Sequence, residues 1–112
     1  MLRDETIARV VKFRDDRNWR QFHTPKDLAL SMSLEAAELL EVFQWSGTDL
    51  ECQDKMDRIR EELADVLSYC ILMADVCGLD LDEIMNKKVD KNEAKYPVEK
   101  AKGNAAKYTE LT

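Results

Sequence analysis

The scarcity of chain-breaking residues constrains this sequence more than any other feature. Only three glycines and two prolines occur among its 112 residues, and these two residue types are the strongest interrupters of regular structure. Between them, apolar residues recur every three or four positions, which is the spacing of one face of an α-helix. The sequence therefore predicts an all-α fold built from long helices rather than from many short strands.

Four helices are predicted, and their ends carry recognisable signals. In chain order they span about Asp4–Trp19, Pro25–Gln44, Glu51 or Asp54 to Cys77, and Asp80 to Tyr96. Thr24 is the expected N-cap before Pro25, and Asp80 forms a capping box with Glu83. Gly78 is the expected stop of the third helix.

One helical domain over residues 1–97 is expected, followed by a polar extension. Residues 98–112, VEKAKGNAAKYTELT, contain few apolar side chains and are predicted to be an ordered arm or a frayed tail. The third helix is apolar on nearly all sides from Leu63 to Cys77, so it needs neighbours on several sides. Because one short chain can hardly supply them all, the sequence predicts a homo-oligomer.

Charge and composition argue against nucleic acids and membranes as binding partners. The formal net charge of −6 argues against general nucleic-acid binding, since no excess of lysine and arginine is available to neutralise phosphates. The charged N-terminal stretch MLRDETIARV lacks the apolar segment of a signal peptide, and no apolar window is long enough to span a membrane. A cytoplasmic protein is therefore expected. Cys52, Cys70 and Cys77 contain no C-x-x-C pair and are interpreted as structural residues.

Glu35 is the most unusual residue of the second predicted helix. It falls near the centre of an apolar stripe formed by Leu28, Met32, Leu39, Val42 and Phe43. An unpaired buried charge is costly, so a compensating group is expected beside it. Glu38 follows three residues later, and Glu62 and Asp65 repeat this spacing on the third helix. If the two helices pack antiparallel, the four carboxylates face each other, and a hard cation such as Mg²⁺ or Mn²⁺ would remove their repulsion.

Other interpretations of the acidic residues are open. Glu-x-x-Glu also occurs on ordinary solvated helix faces, and Glu41, Glu51 and Glu61 are interpreted in that way. A non-catalytic helical module could likewise use an acidic face to bind a metal or a partner protein. A di-iron carboxylate bundle would need Glu-x-x-His on two helices. The one histidine, His23, precedes the second helix, so that class of site fails on its ligand count.

Four segments carry a resemblance to a known family: NWRQFHTP, LEAAELLEVFQW, EELADVLSY and KVDKNEAKYP. Over about Ile7 to Pro97 the chain resembles the MazG-like all-α nucleoside triphosphate pyrophosphohydrolases, and within them the small dCTP pyrophosphatase branch. The resemblance implies a four-helix bundle assembled as a dimer or a dimer of dimers, with sites at subunit interfaces. It also implies Mg²⁺-dependent hydrolysis of a nucleoside triphosphate, first of all dCTP, to monophosphate and pyrophosphate, as nucleotide-pool house-cleaning. Relatives act on dUTP or phosphoribosyl-ATP, so these substrates are alternatives.

The resemblance assigns roles to individual residues. The signature carboxylates, taken as metal ligands, would be Glu35, Glu38, Glu62 and Asp65. The resemblance does not say which of them is the base; since attack by water needs one, Glu38 is the first candidate and Glu35 the second. Residues that hold or border the base would be Trp19, His23 and Trp45. Residues that bind phosphates and sugar would be Lys88, Asp90, Asn92 and Lys95. Without the resemblance, the two tryptophans would be taken as packed core anchors and the lysines as part of a solvated helix face.

Overall fold

The structure is a computed structural model that describes residues 2–111, so Met1 and Thr112, at the ends of the predicted domain and tail, lie outside the described residues. Within 2–111 every regular element is helical, which confirms the predicted all-α class. The α-helices are α1 (Asp4–Asp16), α2 (Pro25–Glu41), α3 (Met56–Cys77), α4 (Leu81–Lys95) and α5 (Val98–Ala101). Short 3-10 turns occur at Arg20–Phe22, Gln53–Lys55 and Tyr108–Glu110.

The chain divides into two compact units between Gly78 and Leu79. The first unit contains α1, α2 and α3, and the second contains α4, α5 and the C-terminal turn. The division into a domain at 1–97 and a tail at 98–112 stays a prediction. No helix in the described part of the chain combines the length and the apolar character that crossing a membrane requires.

Helices α2 and α3 form the main packing interface of the first unit, and they run antiparallel. Near the middle of both helices, Cys70 Sγ lies 3.9 Å from Met32 Sδ. Beyond the C-terminal end of α2, the Val42 carbonyl accepts a hydrogen bond from Lys55 Nζ, just before α3, at 3.3 Å. The buried apolar residues of the described chain are Leu28, Val42, Cys52, Ile71, Leu72 and Ala74. This small core lies mainly between these two helices.

The predicted helix signals are used as expected at three ends. Thr24 Oγ1 accepts a hydrogen bond from the Asp27 N–H at 3.1 Å at the start of α2. Asp80 Oδ1 accepts from the Glu83 N–H at 3.0 Å at the start of α4. Gly78 ends α3 with φ 66°, in the left-handed region that glycine tolerates best.

Three predicted helices are shorter in the structure. Helix α3 begins at Met56 rather than at Glu51 or Asp54, because Gln53–Lys55 form a 3-10 turn before it. Helix α1 ends at Asp16 rather than Trp19, because Asn18 adopts φ 56° and turns the chain away from the helical path. Helix α2 ends at Glu41 rather than Gln44. The N–H groups of Val42, Phe43 and Gln44 bond three residues back, so the chain tightens into turns instead of continuing the α-helix.

The three cysteines have different surroundings. Cys52 is buried in the loop before α3, where its N–H donates to Asp49 Oδ1 at 3.1 Å. Cys70 is half-buried against Met32, which agrees with the structural interpretation. Cys77 is exposed at the end of α3, although its Sγ still lies 3.8 Å from Met73 Sδ.

Candidate metal centre and adjoining pocket

Four carboxylates converge across the antiparallel pair of α2 and α3. Glu35 and Glu38 come from α2, and Glu62 and Asp65 come from α3. One carboxylate oxygen from each residue lies within 4.8 Å of those of the other three. Glu35 and Glu62 are half-buried, whereas Glu38 and Asp65 are exposed. The spacing of one helical turn within each pair, together with the antiparallel packing, brings all four side chains to one place.

The buried oxygens of this acidic cluster lack partners. Glu35 Oε2 and Glu62 Oε2 are shielded from solvent and have no hydrogen-bond donor in the protein. Burial raises the pKa of Glu35, and a hydrogen bond with Glu38 and the neighbouring negative charges raise it further. The pKa of Glu62 is raised by burial and by Glu38 and Asp65, with Arg58 acting in the opposite direction. An all-oxygen cluster with orphaned buried acceptors fits a hard divalent cation.

A pocket of about 480 Å³ adjoins the acidic cluster, and Asp65 belongs to both. Its walls come from α1, α3 and the segment that links α1 to α2. The lining residues are Thr6, Arg9, Val10, Phe13, Arg14, Trp19, His23, Asp65, Ser68, Tyr69 and Leu72. This volume lies in the range of about 300–1,000 Å³ that is usual for small-molecule sites.

Two of the three predicted base-contacting residues, Trp19 and His23, line this pocket. The Trp19 ring packs edge-on against Phe13, with 5.7 Å between ring centroids. His23 Nδ1 is buried and has no hydrogen-bond partner in the protein. Burial lowers the pKa of His23, and the positive charge of Arg14 lowers it further. The imidazole is therefore neutral at physiological pH, and its Nδ1 has no partner within the protein.

The other residues predicted to bind substrate do not line this pocket. Trp45 is 87% exposed and does not line the pocket. It follows the early end of α2, in the turns that begin at Val42. The predicted phosphate and sugar residues all lie on exposed positions of α4, in the second unit: Lys88, Asp90, Asn92 and Lys95. Three of them share one helix face, and the helical period puts Asp90 on the opposite side.

Arg14 and Tyr69 are pocket residues that the sequence reasoning missed. A signal for Arg14 was present. It follows Val10 by four residues and Val11 by three, so it lies on the apolar face of α1. This is the same kind of anomaly that singled out Glu35. Burial alone would lower the pKa of Arg14, but hydrogen bonds and charge from Asp75 and Asp15 outweigh it and raise the pKa.

The fold and the acidic cluster define an all-α protein with four carboxylates gathered between two antiparallel helices. The MazG-like family matches residues 30–111, and the chain belongs to this family. The resemblance seen in the sequence is thereby confirmed.

Individual proteins similar to this chain include two mammalian enzymes and one archaeal structure. The chain is 38% identical to dCTP pyrophosphatase 1 of Mus musculus and 39% identical to that of Homo sapiens, in each case over 96% of this chain. It spans 66% of the length of each of these relatives. Among solved structures, a pyrophosphatase from Archaeoglobus fulgidus is similar, with a TM-score of 0.77 and 43% identity. That similarity covers 84% of this chain and 91% of the archaeal chain.

Proposed function

We propose that this chain hydrolyses a nucleoside triphosphate, with dCTP as the first candidate, to the monophosphate and pyrophosphate in nucleotide-pool house-cleaning. The observation that carries the proposal is the cluster of four carboxylates within 4.8 Å beside a pocket of about 480 Å³. The mouse relative is named a dCTP pyrophosphatase and the archaeal relative a pyrophosphatase, and both names support release of pyrophosphate as the reaction. The name of the mouse relative also supports cytosine as the base of the substrate. A bound cation would offset the repulsion between a triphosphate and a protein with a net charge of −6.

Magnesium is the proposed metal, with Mn²⁺ as a possible substitute. Glu35, Glu38, Glu62 and Asp65 would hold it, because their oxygens suit hard cations and two of those oxygens have no other partner. When bound, the metal supplies positive charge that neutralises the triphosphate and the pyrophosphate leaving group.

The reaction requires a water molecule to be oriented and deprotonated. Glu38 is the proposed base, since it is exposed at the edge of the cluster and can accept a proton there. The water oxygen bonds to the α-phosphorus while the bond from that phosphorus to the α–β bridging oxygen breaks. Pyrophosphate leaves with the bridging oxygen, and the proton of the water passes to the carboxylate.

The pocket would receive the nucleoside. The Trp19 ring offers a flat apolar surface for the base, held edge-on by Phe13. His23, as a neutral ring with an unpartnered Nδ1, would exchange a hydrogen bond with the base or sugar. For Lys88, Asp90, Asn92 and Lys95 on α4, contacts with phosphates and sugar rest on the sequence resemblance alone, and they are kept here as part of the proposal.

A homo-oligomer is part of the proposal. Trp45 is exposed and lies outside the pocket of its own chain, as a residue at a subunit interface would. Large leucines are also exposed on the outer faces of α2 and α3. A second copy of this chain, in a dimer or a dimer of dimers, would cover these residues and bring Trp45 to a substrate site.

The decisive experiment measures pyrophosphate release from a panel of deoxynucleoside and ribonucleoside triphosphates, including dUTP, with and without Mg²⁺. The wild-type protein should act on dCTP only with the metal. Glu35→Gln keeps the shape of the side chain but removes its charge, and we expect a loss of at least about a hundredfold, as for other removed charge-stabilising groups. Glu41→Gln, at the exposed end of the same helix, is the matched control and should retain turnover.

Two outcomes would contradict the proposal. Full activity of Glu35→Gln would remove the acidic cluster from the mechanism. No pyrophosphate release across the panel, from folded wild-type protein, would leave a specialised substrate such as phosphoribosyl-ATP or a non-catalytic metal-binding module.

A further inference from the structure

Arg14 is the only charged side chain that the fold buries among the described residues, with 2% of its surface exposed. Its Nη1 donates a hydrogen bond to Asp75 Oδ2 on α3 at 2.7 Å. Its Nε donates to Asp15 Oδ1 at 2.9 Å. The guanidinium therefore directs its donors at two carboxylates, and the ion pair with Asp75 joins the end of α1 to α3.

The same ion pair also reaches the segment Trp19–His23, which links α1 to α2 and carries two of the residues that line the pocket, Trp19 and His23. Asp75 Oδ2 accepts a second hydrogen bond, from Arg20 Nη1 at 3.2 Å. The main-chain carbonyl of Arg14 accepts the N–H of Trp19 at 3.1 Å. Arg14 and Asp75 thus hold the segment through one main-chain bond and one side-chain bond.

Beyond these bonds, the segment Trp19–His23 is held mainly by the edge-on contact of Trp19 with Phe13. Trp19 and Phe22 are both exposed, so burial of apolar surface contributes little there. Its own main-chain bonds, from Phe22 to Trp19 and from His23 to Arg20, are local turns. Segments with few buried apolar contacts open easily unless polar contacts restrain them.

We propose that Arg14 and Asp75 are positioning residues for the nucleotide: their ion pair fixes the segment Trp19–His23 against α3 so that Trp19 and His23 face the pocket. This inference rests on the proposed function for the identity of the ligand. The contacts predict an effect on nucleotide binding and none on the acidic cluster, because neither residue is one of its four carboxylates.

Asp75→Asn is the test variant, since Asp75 is partly exposed and asparagine keeps an acceptor while losing the charge. The matched control is Asp57→Asn, which removes a fully exposed carboxylate from the start of the same helix. Asp75→Glu restores the carboxylate and should restore wild-type behaviour. Each variant is examined by amide hydrogen exchange without nucleotide, and by kcat and KM for the best nucleotide with Mg²⁺.

For Asp75→Asn we expect amide exchange in residues 17–23 to accelerate about tenfold, the scale of a lost charge-assisted hydrogen bond. We expect KM to rise by a similar factor while kcat stays within about twofold, because only binding of the nucleotide is affected. Asp57→Asn and Asp75→Glu should resemble the wild type in both measurements.

Other results would overturn the inference. Unchanged exchange in residues 17–23 would show that the ion pair does not hold the segment. Faster exchange spread over all helices would indicate a purely structural role, and so would a fall in kcat with unchanged KM. If the wild-type protein shows no turnover, the proposed function fails on its own, since the exchange comparison needs no nucleotide and still tests whether the ion pair holds the segment.

Discussion

Two charged side chains lie on apolar helix faces of the first unit, and their surroundings differ. Arg14 is compensated by Asp75 and Asp15, so its burial is consistent with a structural contact. Glu35 is surrounded by three other carboxylates, and one of its oxygens has no donor. Like charges in contact destabilise a fold unless something neutralises them. Stability is therefore lowered at the acidic cluster in the metal-free protein, as is common at functional sites.

Glu35→Gln should stabilise the metal-free protein. The substitution removes one of four mutually repelling charges and provides an amide that can donate a hydrogen bond to a neighbouring carboxylate. We expect the Tm in EDTA at pH 7 to rise by a few degrees relative to the wild type. Added Mg²⁺ should raise the Tm of the wild type, by ligand linkage, and leave that of the variant nearly unchanged.

Glu41→Gln is the control for this measurement and should leave both values as in the wild type. A lower Tm for Glu35→Gln in EDTA would mean that Glu35 makes a stabilising contact, which would contradict the repulsion argued from the cluster.

His23 should titrate below its ordinary pKa of 6.5 in the folded protein. Burial and the charge of Arg14 both disfavour the imidazolium, so the folded state binds the proton less tightly than the unfolded state. The stability that the neutral ring contributes is complete above pH 6.5 and is lost as the pH falls from 6.5 through the lower folded pKa.

Proton NMR can follow this titration without assignment, since the chain has a single histidine. The midpoint in urea-unfolded protein serves as the control. A folded midpoint at or above the unfolded one would contradict the buried environment of the ring.

At the scale of elements, local chemistry determined which helix ends could be foreseen. The start of α2 depends on the side-chain oxygen of Thr24, and the end of α3 depends on the left-handed backbone that Gly78 adopts. Both helix ends can therefore be predicted from the residue type alone. The ends of α1 and α2 were placed three residues too late. Asn18 and the turns after Glu41 are set by packing and main-chain bonding, which periodicity does not encode.

The C-terminal turn should depend on one aromatic contact. Tyr108 packs edge-on against Tyr96 at 6.2 Å between centroids, and Lys95 Nζ lies 4.9 Å from the centre of its ring. An aromatic pair of this kind contributes about 0.5–1.5 kcal/mol. Tyr108→Ala should therefore accelerate amide exchange in residues 104–111 several-fold, whereas Tyr108→Phe should preserve the protection. Equal exchange in both variants would show that the ring does not anchor the turn.

At the scale of the whole molecule, the acidic cluster was predictable and the pocket was not. Two i, i+3 pairs on neighbouring helices have few ways to meet, and antiparallel packing brings Glu35 and Glu62 together with their partners. The pocket depends on how α1 lies against α3 and on the path of the segment Trp19–His23. These are tertiary features, and no sequence spacing specifies them. Spacing does mark Arg14, because it follows Val10 by four residues and Val11 by three and so lies on the apolar face of α1.

The exposed apolar surface of the helices predicts that the chain forms a homo-oligomer. Leu30, Leu34 and Leu40 on α2 and Leu63 and Leu67 on α3 are all exposed, whereas only six apolar residues of the described chain are buried. So much exposed leucine on two packed helices is typical of a surface that another subunit covers. Light scattering should give a mass that is a multiple of the 13.0 kDa chain.

Leu34→Glu places a charge on that surface, where the wild-type side chain is 66% exposed in a single chain. An exposed leucine can accept this change without loss of the fold, but a charge desolvated in an interface is strongly unfavourable. We therefore expect the variant to become monomeric while keeping its helical circular dichroism. Leu2→Glu, which introduces the same charge ahead of α1, should keep the wild-type mass. A monomeric wild type, or a Leu34→Glu variant with unchanged mass, would mean that this face is not the subunit interface.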